Sequence, residues 1–442
     1  MGKKLFIIGG GPAGYVAAVY AAQEGLDVTL AEKDSFGGTC LNRGCIPTKA
    51  LLYATNYREI NYGRLGIEGA AITFNRDKLK AWKDSAVLRS VKGIDGLLKK
   101  NNVKTIRGEA LLKGSKELVI GGESFQADNI ILAHGSVPSL PSFIQGDAPV
   151  WTSDEALELP FIPKKLLIIG GGVIGVEMAT IYRRLGAEVI IFDILPRIGG
   201  ASLDIEVANE LEKSLKGSGI EMHLSTAIVR IENGKLYTKD AVYEADAILV
   251  STGRKANIPE DVTNAGIIKE AGRIKVDGNL MTNIPGIYAV GDMVEGPMLA
   301  HKASHDGLNA VNHILGKDRI HAIVPSVIYT YLEAASIGLT EEEAAKTGEK
   351  IIISRFPFSA NPRSNCSNKL KGFVKIISSG GKIAGAHIIG EGAGELIWPF
   401  GYLISKKTRA GDILGNTMFP HPSYSEAVYE ALLGLKGKMI HL

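Results

Sequence analysis

Leu5 to Glu32 reads LFIIGGGPAGYVAAVYAAQEGLDVTLAE, and the reading of this stretch decides the fold. Four apolar residues in a row, Leu5 to Ile8, suit a strand buried on both faces, as parallel sheets require. Gly9-x-Gly11-x-x-Gly14 follows, then an apolar helix from Pro12 to about Gly25, then a second strand that ends at Glu32. Each glycine has a separate duty: a tight turn at Gly9, bare backbone against a pyrophosphate at Gly11, close helix packing at Gly14. Glu32, 18 residues past Gly14, is placed to accept from ribose hydroxyls. The expected contacts of this turn are therefore Gly9, Gly11, Pro12, Ala13 and Gly14, with Glu32 and its neighbour Lys33 at the ribose. Lys3 and Lys4 before an apolar run give the start a superficial likeness to a signal peptide. The run GGGP argues against it, because a helical signal core tolerates three glycines and a proline badly.

The pattern returns 161 positions later as KLLIIGGGVIGVEMATIYRRLGAEVIIFD, from Lys165 to Asp193. Gly170, Gly172, Val173, Ile174 and Gly175 form its turn, and Asp193 takes the place of Glu32. Each copy is followed by a further buried strand ending in a glycine, NIILAHGS with Gly135 and AILVSTGR with Gly253. Two copies imply two bound dinucleotides. Gly14 lies only 23 residues before a cysteine-bearing stretch, so the first copy is expected to hold the fixed redox group, FAD. The second then holds an exchangeable nucleotide. Asp193 favours NAD, since a carboxylate accepts from a ribose 2′-OH and repels a 2′-phosphate. Arg197 points the other way unless it is solvated or pairs with a nearby acid such as Asp204.

That cysteine-bearing stretch is GGTCLNRGCIPTK, Gly37 to Lys49, with two of the chain's three cysteines. On an ideal helix Cys40 and Cys45 would be separated by about 7.5 Å of rise and roughly 140° of rotation. A disulfide needs Cα atoms within ~7 Å, so a bridge demands backbone unwound around Cys40. Gly37, Gly38, Gly44 and Pro47 permit such a distortion, and the apolar residues after it suggest a loop feeding a helix. Cysteines near a helix N-terminus are favoured as thiolates, and Lys49 adds a cation. Two unrelated thiols, a structural staple and half of a zinc site compete with a redox pair. Zinc fits poorly, because the spacing is wrong and Cys366 lies far along the chain.

Elsewhere the residues speak less specifically. The segment from Tyr53 to Lys100 reads as a solvated helix packed by one face. A strand at Ile287 runs into Gly291-Asp292, a turn whose carboxylate could reach a cofactor hydroxyl. After about Ser326 alternating strands suggest an antiparallel sheet, followed by helices from Glu395 and Ser425, an arrangement suited to dimer contacts. His421 lies between two prolines and Glu426 opens a helix five residues on, the arrangement of an imidazole base oriented by an acid. A surface histidine beside a helix-capping acid would look the same.

Composition is that of an ordinary globular chain of 442 residues, 45% hydrophobic and 22% charged. Its 53 glycines are in excess, which suits many tight turns and close backbone approaches to ligands. A net charge of +3 is too small to imply nucleic acid or an anionic membrane as partner. No apolar run is long enough to span a bilayer. So few cysteines suit a reducing compartment such as the cytoplasm.

As a set, IIGGGPAGYVAA, GGTCLNRGCIPTKALL, IIGGGVIGVEM, TGRKAN, YAVGDMVEGPMLAHKA, IGLTEEEA, GAHIIGEGAGELI and HPSYSEAVYEA resemble the FAD-dependent pyridine nucleotide-disulfide oxidoreductases over nearly the whole chain. GPMLAHKA and GAHIIGEGAGELI are most similar to the lipoamide branch. The resemblance implies an α/β fold with two Rossmann-like (βαβ) dinucleotide-binding domains and a C-terminal α+β dimerisation domain. The expected division is 1–143 and 269–322 for FAD, 144–268 for NAD and 323–442 for the homodimer interface. It implies that Cys45 faces the flavin and Cys40 exchanges with a dithiol substrate, with Lys49 near the flavin and paired to Glu177. Gly38, Thr39, Asp292, Met298, Leu299, Ala300 and His301 would also touch the cofactor. His421, held by Glu426, would act as base from the other subunit. The implied reaction is oxidation of dihydrolipoamide with reduction of NAD. Lipoyl-bearing acyltransferases or glycine-cleavage-type carrier proteins would be its partners. Departures from the family pattern are Arg43, His134, Leu332 and the pair Phe419-Pro420. Rival readings are an NADH-dependent reductase of another small disulfide and a chain that serves mainly to dock on an acyltransferase core.

Overall fold

The structure is a computed structural model that describes residues 3–59, 65–68, 72–144, 150–200 and 203–442. Parts of the helical reading of Tyr53 to Lys100, and the residues just past the expected boundary at 143, lie outside the described residues.

Two parallel five-stranded sheets carry the two glycine turns. The first runs in the order Ile287–Ala289, Asn129–Leu132, Lys4–Ile8, Asp27–Glu32, Lys104–Arg107. Leu5 to Ile8 are buried, as a central strand covered on both faces must be. The outermost strand at Ile287 shows that the chain leaves this unit and returns to it. Helix α1 (Pro12–Gln23) buries only small residues, Ala13, Gly14, Ala17, Ala18 and Ala21. That allows a tight crossing with the helix Ala300–Ile314, in which a Cβ on Gly307 would sit 2.5 Å from the Ala13 carbonyl oxygen.

The second sheet repeats the plan as Ile220–His223, Glu188–Phe192, Lys165–Ile169, Ala247–Val250, Val150–Trp151. The third is antiparallel, ordered Ser326–Ile328, Ala334–Gly338, Lys382–Ile389, Phe373–Ser379, Ile351–Pro357, and is packed by the C-terminal helix Ser425–Gly434. Its Ile328, Ala334, Phe373 and Ile389 share one apolar core with Leu166, Val176 and Ile191 of the second unit. A buried ion pair reinforces that seam: Lys375 Nζ lies 2.9 Å from Asp204 Oδ1, and both side chains are fully buried. Asp204 also accepts from the backbone of Glu206 and Glu341, so the charge is not left unpaired. Among the described residues no helix is long and apolar enough to cross a membrane.

Candidate active site

The cysteine stretch forms two helices that meet at a break. Helix α2 spans Gly38–Arg43 and helix α3 spans Cys45–Thr55, with Gly44 between them at φ −146° and ψ −110°. Cys40 and Cys45 are disulfide-bonded with Cα atoms 4.7 Å apart. The expectation of a loop unwound around Cys40 needs correction, because Cys40 lies within a helical turn and the bend falls at Gly44. Only glycine fits there, since a Cβ would stand 2.9 Å from the Thr39 carbonyl oxygen. The Thr48 hydroxyl donates to the Gly44 carbonyl and the Asn42 amide to the carbonyls of Phe36 and Gly38, so the break is held from both sides. Leu51 and Leu52 then anchor α3 in the shared core, each worth about 1.5–3 kcal/mol of burial.

Cys45 is thereby the first residue of α3, where unpaired backbone N–H groups favour an anion. Lys49 follows one turn later, and its Nζ lies 2.8 Å from Glu177 Oε2. Glu177 comes from the helix Val173–Leu185 that opens the second glycine turn. Burial pushes its carboxyl up, against the pull of Lys49 and the Tyr329 N–H. The Lys49 ammonium also stands 4.7 Å from the centre of the Tyr329 ring. The second turn and the disulfide helix are thus tied together through one buried carboxylate.

A cavity of about 1510 Å³ opens here, and Cys40, Cys45, Lys49 and Glu177 line it. So do all the residues expected to touch a dinucleotide except Gly14 and Gly175. Those two face inward instead, where a Cβ would lie 1.8 Å from the Gly9 oxygen and 1.9 Å from the Gly170 oxygen. Gly11 and Gly172 behave differently. A Cβ on Gly172 would meet nothing within 4 Å, and one on Gly11 only the Gly38 Cα at 3.7 Å. Their missing side chains leave open cradles in the cavity wall at the N-termini of two helices, as a pyrophosphate requires. Glu32 and Asp193 each accept from the middle glycine of the GGG run after the first strand of their unit, Gly10 N and Gly171 N, both at 2.6 Å. The residues present therefore fit two dinucleotides. Arg197 pairs with Glu342 at 3.4 Å rather than with Asp204, which is committed to Lys375.

Two lining residues escaped motif reading. Ser136 donates to Asp292 Oδ2 at 2.6 Å and accepts from Arg254 Nε at 2.8 Å, which ties the strands that follow the two glycine folds. Their only signal is position, in AHGS and STGR. His134, noted in the sequence as a departure from the family pattern, also lines the cavity. Its Nε2 is buried without a hydrogen-bond partner, and burial pushes the imidazole down to about 4. The unfolded chain, with an ordinary histidine near 6.5, binds this proton more readily. The stability it contributes is present above about pH 6.5 and lost as pH falls toward 4. His134→Thr should therefore flatten the fall in melting temperature between pH 7 and pH 4.5, as calorimetry would read.

His421 and Glu426 do not line this cavity. His421 is exposed, with Nδ1 2.8 Å from Glu426 Oε1, and Ser423 N donates to Glu426 Oε2 at 2.8 Å. Burial raises the Glu426 carboxyl, but the Ser423 N–H and the imidazole outweigh it and hold the group below its usual range.

A disulfide set in the wall of a cavity that two dinucleotide folds share defines a class, the nucleotide-linked disulfide oxidoreductases. The sequence profile described as pyridine nucleotide-disulphide oxidoreductase matches residues 3–307, and the profile of that family's dimerisation domain matches 324–432. A mitochondrial dihydrolipoyl dehydrogenase of Dictyostelium discoideum is 38% identical over 100% of this chain and 96% of its own. The dihydrolipoyl dehydrogenase of Thermus scotoductus is 39% identical over 99% and 98%. Among solved structures, LpdA from Mycobacterium tuberculosis superposes with a TM-score of 0.89 at 25% identity, over 98% of this chain and 99% of its own. The HOCl-induced flavoprotein disulfide reductase RclA from Escherichia coli gives 0.87 at 26%, over 97% and 99%. The chain belongs to the pyridine nucleotide-disulphide oxidoreductase family.

Proposed function

We propose that this protein oxidises a dihydrolipoyl dithiol to the cyclic disulfide and reduces NAD, with FAD in the cradle at Gly11 and NAD in the cradle at Gly172. The observation that carries the reading is the Cys40–Cys45 bridge lining the same cavity as both cradles. The relatives named dihydrolipoyl dehydrogenase support the substrate. We divide the chain as 1–143 with 269–322, 144–268 and 323–442, and place it in the cytoplasm as a homodimer whose lipoyl group arrives on an acyltransferase or carrier protein.

His421 faces the disulfide of the partner subunit in this reading. Glu426 accepts a hydrogen bond from Nδ1–H, which leaves Nε2 to take a proton from one substrate thiol. The thiolate attacks Cys40 Sγ, the Cys40–Cys45 bond breaks, and its electron pair leaves on Cys45 as a thiolate. Helix α3 and Lys49 stabilise that charge, which makes Cys45 the better leaving group. The second substrate thiol attacks the substrate sulfur bound to Cys40 and passes its proton to the Cys40 thiolate that this expels, which closes the lipoyl ring. When bound, FAD supplies the two-electron carrier between the reduced pair and the nicotinamide. Asp193 disfavours a 2′-phosphate, and Arg197 is engaged by Glu342, so NAD is the nucleotide.

His421→Ala should lower dithiol oxidation about 10²- to 10⁴-fold. NADH-driven reduction of an artificial electron acceptor should be unchanged, because that reaction needs no base at the disulfide. Equal losses in both assays would refute a role at the dithiol. The likeness to a disulfide reductase favours a second reading, in which NADH reduces another small disulfide. Rates with lipoamide and with glutathione disulfide separate the two.

A further inference from the structure

Arg43 stands between the two cysteines, where the local break needs no cation. It is the last residue of α2, and its guanidinium contacts two carboxylates. Arg43 Nη2 lies 2.6 Å from Asp34 Oδ2, and Nε lies 3.9 Å from Asp154 Oδ2. Asp34 follows the second strand of the first sheet. Asp154 belongs to the short helix Ser153–Leu157, which packs on the second unit through Ala156 and Leu157. All three side chains line the dinucleotide cavity. The arginine thus joins the two nucleotide units at the wall of the cavity. Burial raises the Asp154 carboxyl, and Arg43 and Arg254 offset this only in part.

We propose that Arg43 is a retention clasp for the dinucleotide bound at the first glycine turn, a positioning residue that slows its release by bridging Asp34 and Asp154. The proposal rests on the reading of the cavity as a flavin site. The bridge holds the two units together along the cavity wall. About half of the Arg43 side chain is exposed, so the clasp is screened by salt and its contribution is modest.

The test uses the full-length, flavin-loaded protein diluted into flavin-free buffer, with release followed by the recovery of free-flavin fluorescence. The wild-type rate should rise as salt is taken from about 0.01 M to about 1 M. Arg43→Val should release flavin about fivefold faster at low salt and lose the salt response. Asp154→Asn, which removes the far anchor without touching the redox helix, should move in the same direction. Arg43→Lys, with one point charge and no fork, should fall between. Thiol titration of Arg43→Val should still show the Cys40–Cys45 pair oxidised. If Arg43→Val and Asp154→Asn release flavin at the wild-type rate with the wild-type salt response, the clasp is refuted while the flavin site stands. A wild-type protein that retains no flavin overturns both.

Discussion

Cys45→Ser is expected to lower dithiol oxidation on the order of 10⁴-fold or more while the protein keeps its flavin. The size follows from the role proposed for Cys45: without its sulfur no disulfide forms, and a serine hydroxyl forms no reducible bridge to Cys40 through which two electrons could pass. The retention follows from geometry. Cys45 is the first residue of α3, and the helix is held by Leu51, Leu52 and the Thr48 hydroxyl on Gly44, none of which depends on the sulfur. Absorbance of the purified variant would report bound flavin, and lipoamide-dependent NAD reduction would report turnover. A variant that still oxidises the dithiol at more than a hundredth of the wild-type rate would sink the disulfide relay.

The second large effect is Gly11→Val. Gly11 has φ −70° and ψ −174°, a conformation open to any residue, and its Cβ would project into the cavity. The chain should fold with its melting temperature nearly unchanged in the absence of cofactor, yet bind FAD up to about 100-fold more weakly, because the new methyl groups occupy the cradle. Gly14→Ala makes the contrast. Its Cβ would lie 1.8 Å from the Gly9 oxygen, so the loss falls on folding first. Equal flavin affinity in Gly11→Val and wild type, measured by titrating the apoprotein, would remove the pyrophosphate from that turn.

What could be read from the sequence is what nearby residues decide. The strand, glycine turn, helix and second strand at Leu5 to Glu32 form one contiguous unit, and repetition at Lys165 supports both copies. The cysteine spacing demanded a distortion but did not say where. The answer lay in how closely Gly44 approaches the Thr39 carbonyl, a contact that no spacing rule contains. Arg197 illustrates the same limit. Asp204 is near it in sequence, but Asp204 caps the helix Ile205–Gly217 and pairs with Lys375 from 171 residues away, so Arg197 turns to Glu342. Ser136 and Arg254 are ordinary residues in ordinary segments. They become a site because antiparallel strands pair Ser136 with Ala256 and Pro138 with Arg254. His134 could be noticed as unusual in its segment, but its sealed nitrogen is a property of packing alone.

The most direct measurement counts thiols in the flavin-loaded protein under anaerobic conditions, before and after one equivalent of NADH. Three cysteines are present: Cys366 is free and exposed, and the other two are bonded. The account predicts one reactive thiol before reduction and all three afterwards. If NADH is consumed and the count stays at one, electrons do not reach the Cys40–Cys45 pair and the central claim is contradicted.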